Sequence, residues 1–273
     1  MNDKPLRNSS KSGAIMKKLH APPFLSWRRR ELIALSAMAA IINTVGFAAH
    51  AEGDPASLLT EMALSIAPGE SYGLLIKWSE RPSITVHLLA DTDPATVASI
   101  QSVANGIATE CACVSSVSVL SSNEKHRAQS GEILLLIDKN GFSHFIERDN
   151  TDLEWAFGSK SKIESDYPRS APKNAMRFKS LISGRALSGA VAAAFYDGRT
   201  SSLTSIVADG IFLGLSPSLG ADGQKLRKLV EKTKTEQGVV HRPTQLGYDY
   251  LRYLYDAKVE PGMTADQVKA IRW

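Results

Sequence analysis

Between Arg81 and Asp138 the apolar residues change their period three times, and that order restricts the fold more tightly than any bulk property. "RPSITVHL" alternates Ile84, Val86 and Leu88, the spacing of a strand with one buried face. Asp93-Pro94 then supplies a helix N-cap with proline at the first helical position. Val97, Ile100, Val103, Ala104 and Ile107 follow at helical spacing. "CVSSVSVL" alternates again, and "GEILLLID" is an unbroken apolar run of the kind that fills central strands. Strand, helix, strand, strand opens an α/β or α+β domain. The expectation is an α+β fold, a single domain over residues 72–273 with a mixed central sheet and a helical C-terminal half.

The rest of the chain fits around that opening. Residues 52–71 read as a lead-in segment with a short helix built on Leu58, Leu59, Met62 and Ala63. From Lys139 to Asn174 the period weakens. "SKSKIESDYPRSAPKN", near 159–174, mixes charge, serine and proline, which predicts an exposed, mobile insertion. "GAVAAAFYDGR" returns to a strand and ends in a turn at Asp197-Gly198. "SIVADGIFLGLSP" predicts an apolar helix from about Leu203, and Ala221 to Gln237 a charged one edged by Leu226, Leu229 and Val230. "TQLGYDYLRYLYD" predicts a helix that buries Leu246, Tyr250, Tyr253 and Leu254. Thr264-Ala265-Asp266-Gln267 is a capping-box start for a last short helix.

The first 51 residues differ in kind. They hold 8 Lys+Arg and 2 Asp+Glu out of the chain's 32 and 28, which leaves 24 basic and 26 acidic residues after Ala51. The basic character belongs to this segment, and the nearly neutral remainder offers no electrostatic footprint for nucleic acid. Arg28, Arg29 and Arg30 precede an apolar run from Leu32 to Ala49, and Ala49-His50-Ala51 completes a signal-peptidase pattern. The order predicts a signal peptide over 1–51 and an exported, periplasmic product. Arginines followed by Leu32 and Ile33 also fit a twin-arginine signal; the general secretory route stays open. The alternative is an uncleaved anchor, which would make the chain a membrane-tethered envelope factor. Met16 is a second candidate start.

Motifs with chemistry are sparse. His87, His126, His144 and His241 are the histidines after Ala51, and no two share ligand spacing on one expected helix. His87 lies mid-strand, as a hydrogen-bonded packing residue would, while His126 and His241 fall in polar stretches and read as solvated. Cys111 and Cys113, placed on one face of a strand, are open to three readings: a redox pair, a structural disulfide or two buried thiols. "LLADTDPA" has the two aspartates of a phosphoaspartyl site, yet Asp93 is better used as a helix cap, and no Gly-rich phosphate loop accompanies it. A Gly-x-Ser-x-Gly nucleophile elbow is absent, because Pro217 and Ser218 break the spacing in "GLSPSLG".

The helix "SIVADGIFLGLSP" has the cadence of a zinc-peptidase active helix, a ligand-bearing turn followed by Gly-Leu. Counted back from Gly214, the two histidines and glutamate of such a helix would stand at Val207, Ile211 and Ala208, with Pro217 at a third ligand's place. None of these coordinates zinc or polarises water. Asp209 is the one ionisable residue of the helix and lies off that frame.

"YDYLRYLYDAKVEPGMTADQV" closely resembles the end of a family of exported proteobacterial proteins grouped as domain-of-unknown-function family 2927, where Leu-Tyr-Asp followed by Pro-Gly-Met closes the domain. The resemblance extends more loosely to "IKWSERPSITVHL" and to the helix ending in "LGL", and spans Tyr72 to Ile271. It implies a degenerate metallopeptidase-like frame whose helix carries acidic and amide residues before Leu-Gly-Leu. The present chain departs from that pattern at Val207, Ala208 and Ile211.

Taken together, these residues lead to an exported, non-catalytic binding or interaction module. No catalytic, cofactor-binding or metal residue is assigned, no cofactor is expected, and the partner is a protein or envelope ligand. The alternative is a periplasmic hydrolase with a polar, zinc-free site. It requires titratable groups in a cleft, and Asp209, His87 and Glu132 are the places to look.

Overall fold

The computed structural model describes residues 54–66, 73–139, 154, 176–221, 223–236 and 238–273. The expected signal peptide and the insertion near 159–174 lie outside them, as does His144. Helix α1 (Pro55–Met62) buries Leu58, Leu59 and Met62, and an antiparallel pair follows, β1 (Leu64–Ile66) with β2 (Gly73–Leu75).

The central sheet contains β3 (Lys77–Trp78), β4 (Ser83–Leu88), β5 (Ser116–Leu120), β6 (Glu132–Asp138), β7 (Met176–Ser183) and β8 (Ala186–Phe195). Its order is β7-β8-β6-β4-β5, with β3 beside the start of β8. Every pairing is parallel except β7 with β8, so the sheet is mixed, as expected, but mostly parallel. Strand β4 sits between β5 and β6 and is buried on both faces, not one. Ile84, Val86 and Leu88 join Ile133, Leu135 and Ile137 in the main core, while Thr85 and His87 are buried on the opposite face.

Helix α2 (Pro94–Cys111) links β4 to β5. Its N-cap Asp93 accepts from the Thr96 N–H at 2.9 Å, as the Asp-Pro signal predicts. It ends at Ala112, which has φ of 50°, and a disulfide joins Cys111 to Cys113. The cysteines therefore sit at a helix end and not on a strand. The left-handed turn brings their Cα atoms to 5.1 Å, within disulfide range, where an extended strand holds them near its limit. The route from β5 to β6 passes β4 through residues 121–131 without a helix.

Helix α3 (Thr200–Leu215) lies on the core face and is buried almost all round. Gly210 and Gly214 permit its close approach to β6. A Cβ on Gly214 would stand 2.5 Å from Ile133 Cγ2, and one on Gly210 would stand 3.0 Å from Leu135 Cδ2. The charged helix expected over Ala221–Gln237 is instead α4 (Ser218–Ala221), α5 (Gly223–Leu229) and a hairpin, β9 (Val230–Thr235) with β10 (Gly238–Pro243). "VEKTKT" pairs residue for residue with "GVVHRP", and that ladder overrides its lysine- and glutamate-rich helical composition. The C-terminal half thus carries β7 to β10 as well as helices. Helix α6 (Gln245–Leu254) buries Tyr250 and Leu254 fully and leaves Leu246 and Tyr253 half-buried. Thr264 forms both bonds of the expected capping box of α7 (Ala265–Lys269).

Candidate functional site

The two ends of α3 are built on different chemistry. At the C-terminal end, orphan carbonyls are capped by side chains from distant segments. The Trp78 indole donates to the Gly214 carbonyl at 2.9 Å, and the Tyr255 hydroxyl donates to that of Leu215 at 2.8 Å. The Ser216 hydroxyl bonds to Tyr250, and Ser218 passes the chain on to the Met62 carbonyl at 2.8 Å. Lys77, 6 % exposed, donates to the Val259 carbonyl at 2.8 Å and stands 5.0 Å from the Tyr255 ring centre. Burial pushes its amine down to about 8, against the pull of Asp256 and Glu260. Burial also pushes the Tyr250 phenol up to about 12 and that of Tyr255 well above its ordinary value. Strand β2 completes this base. The Leu75 N–H donates to Met263 at 2.9 Å, and its carbonyl accepts from Gly262 at 2.8 Å.

Residues of the stretches "IKWSERPSITVHL" and "YDYLRYLYDAKVEPGMTADQV" converge here. Trp78, Tyr255, Gly262 and Met263 hold the end of α3 and the edge of β2, and this base is a packed one. The zinc-helix positions fare no differently. Val207, Ala208 and Ile211 are each 0 % exposed within the core, so neither their chemistry nor their placement fits a metal. Among the described residues, no three His, Cys, Asp or Glu side chains converge as a metal-binding group.

The other half of α3 borders open space. Alongside α2 and β10 it forms a groove of about 770 Å³, within the usual range for small-molecule sites. Helix α2 contributes Ser99, Ser102, Val103, Gly106 and Ile107; α3 contributes Thr200, Ser201 and Thr204. Val240, His241, Arg242 and Pro243 form the wall from β10, and Tyr248 closes one end. A second hollow of about 500 Å³ shares Ser99, Thr200 and Ser201 and reaches Asp93 and Arg199.

Asp209 and His241 meet beside this groove. His241 Nδ1 lies 2.8 Å from Asp209 Oδ2, and the His241 N–H donates to the Ser205 hydroxyl at 2.8 Å. These bonds fasten β10 to α3. His241 is therefore not solvated as its polar surroundings suggest; its side chain is 24 % exposed, and Nε2 is its remaining polar atom. Asp209 Oδ1 is buried with no hydrogen-bond partner among the described residues.

Glu132 is buried on the opposite face of the sheet. It accepts from the Thr85 hydroxyl, lies 2.8 Å from His126 Nε2 and accepts from the Gln129 N–H at 2.9 Å. Ser118 stands 3.2 Å from Thr85. His126 is thus paired and not solvated, and the carboxylate anchors the helix-free crossover of residues 121–131. Carboxylate between hydroxyl and imidazole is the wrong order for a nucleophile, which needs the imidazole in the middle. His87 is buried on this same face, as expected for a packing residue. Asp209, His87 and Glu132 consequently do not form one site. Sequence carried no signal for either pair: Asp209 and His241 are 32 residues apart, and His126 and Glu132 have no shared periodicity.

Compared with known protein families, with curated proteins and with solved structures, the chain matches none of them.

Proposed function

We propose that the chain is an exported binding or interaction module of the periplasm that takes its ligand in the groove between α2, α3 and β10. The observation that carries this reading is the groove itself, where polar side chains from three elements converge on a hollow of ligand size. Burial raises the Tyr248 phenol, and hydrogen bonds from Thr96 lower the Asp93 carboxyl, so both move away from neutral pH. A groove-directed fragment screen followed by amide NMR tests the reading. Shifts should gather at Ser102, Gly106 and Thr204. Gly106→Trp should erase them, since nothing stands within 4 Å of an added Cβ there and the fold would tolerate the ring. Fragments that shift only other regions would reject the groove.

A zinc-free hydrolase is the second reading, and the Asp209–His241 pair is what favours it. The imidazole oriented through Nδ1 would act on a water or substrate through Nε2. Asp209→Asn separates the two, because it should abolish turnover but leave ligand affinity within a few-fold. The metallopeptidase-like frame belongs to the proposal as an inherited scaffold whose metal positions are now core residues. Under that reading a chelator leaves the thermal midpoint unchanged, and one tightly held zinc per chain would overturn it.

Export rests on the basic, apolar, small-x-small order ending at Ala51. No helix among the described residues is long and apolar enough to cross a membrane. N-terminal sequencing of the envelope protein should begin at Glu52, whereas an intact leader would favour the tethered factor. Replacing Arg29 and Arg30 together by Lys should block export if the twin-arginine route is used, and undisturbed export would assign the general secretory route.

A further inference from the structure

The walls of the groove are charged with one sign. No aspartate or glutamate lines the main hollow, while Arg242 and His241 both do. The Arg242 side chain is exposed and makes no hydrogen bond or ion pair among the described residues. Its cross-strand neighbour Glu231 does not reach it as an ion-pair partner. The Asp209 carboxylate is engaged with His241 Nδ1 at 2.8 Å.

Ser201 adds a second observation. It is 4 % exposed and stands at the second position of α3, where the two hollows meet. Its hydroxyl makes no hydrogen bond among the described residues, although its carbonyl accepts from both Thr204 and Ser205. Ser201 lines both hollows and its hydroxyl oxygen is not sealed from them, so it is available to a ligand there. The helix behind it is long, and its N-cap Arg199 supplies no side-chain cap to the first N–H groups of α3, while the Asp197 carboxylate accepts from the Arg199 N–H just before them at 3.1 Å. Helix α2 has no such vacancy, because Asp93 already occupies its N-terminus.

We propose that the groove takes an anionic ligand with an apolar body. Its carboxylate or phosphate oxygens meet the Ser201 hydroxyl, the N-terminus of α3 and the Arg242 guanidinium. The apolar body lies along Val103, Gly106 and Ile107 toward Tyr248. The inference rests on the groove being the ligand site and adds the class of ligand.

Three probes of one body separate that class from the site: phenylbutyrate, phenylbutyl phosphate and the neutral phenylbutanol, titrated into the full chain and followed by amide NMR. At least one anion should bind at least about tenfold tighter than the alcohol, with shifts at Ser102, Ser201 and Thr204. Which anion wins distinguishes a carboxylate from a phosphate head. Arg242→Gln should weaken anion binding about five- to twentyfold and leave the alcohol unchanged. Ser201→Ala should weaken the anions as well, and unchanged amide spectra away from the groove show that either variant is folded. Equal affinity for the alcohol and both anions, with shifts in the groove, would overturn the anionic class while sparing the groove. Absence of shifts in the groove with all three probes would count against both.

Discussion

The C-terminal end of α3 and its groove-facing half lie on one helix yet obey opposite rules. At the base, the carbonyls of Gly214 and Leu215 are each met by an aromatic side chain, buried Trp78 and half-buried Tyr255. Along the groove, among the described residues, the Ser201 hydroxyl and the Arg242 guanidinium have no partner and Asp209 uses one oxygen of two. Satisfied polar groups stabilise, and unsatisfied ones await something. A stretch with a distinctive sequence can therefore belong to the part of a protein that holds, while a groove lined by small hydroxylated residues has no motif at all.

The comparison breaks first if the core around α3 is not a core. Ile211→Ala should cost about 2–5 kcal/mol through the cavity it leaves, read as a fall in the urea midpoint at constant slope. A near-silent outcome would mean that this face borders solvent.

Alkaline titration tests the base alone. The folded Lys77 amine is pushed down to about 8 from 10.5, so above pH 8 the unfolded chain binds the extra proton and stability rises until about pH 10. The size of that rise is roughly 1–3 kcal/mol, and Lys77→Met should remove it. Tyr250, pushed up to about 12, works in the opposite sense: above pH 10 the unfolded chain loses the proton first and stability falls. A profile without the rising limb would show that Lys77 is better solvated than its burial implies.

Tyr255→Phe should cost about 1–2 kcal/mol, since it strands the Leu215 carbonyl in a closed site. Asp209→Asn should have the smallest effect on stability, under about 1 kcal/mol, because its partly exposed pair with His241 is of the kind that contributes little. If Asp209→Asn proved costlier than Tyr255→Phe, the two ends would have exchanged roles.

The parts of the fold that could be read from sequence are those with long, regular periods. Residues 81–138 gave their strands and helix because Asp93-Pro94 marks the helix start, β4 and β5 alternate and β6 is an unbroken apolar run. The β9–β10 hairpin was hidden because Glu231, Lys232 and Lys234 look like a solvated helix until "GVVHRP" is laid beside them. Strand β7 was hidden too, since "MRFKSLIS" alternates charge with apolar residues on a half-exposed edge. The zinc-like cadence has a plain origin as well: Gly214 is demanded by Ile133, which leaves no room for a side chain. The groove could not be read at all, for its walls come from α2, α3, β10 and α6, and small hydroxylated residues have no pattern of their own.

Strand β8 pairs with β3, β6 and β7, yet it is completed only at Phe195. Until then the apolar edge of β6 has no neighbour on that side, and the parallel ladder from Ile133 to Asp138 cannot close. A nascent chain emerging from the ribosome therefore carries an open, strongly apolar edge for some sixty residues of synthesis, the state in which chains stick to one another. Fragments ending between Asp138 and Phe195 should aggregate, and a holding chaperone would be most needed over that same interval.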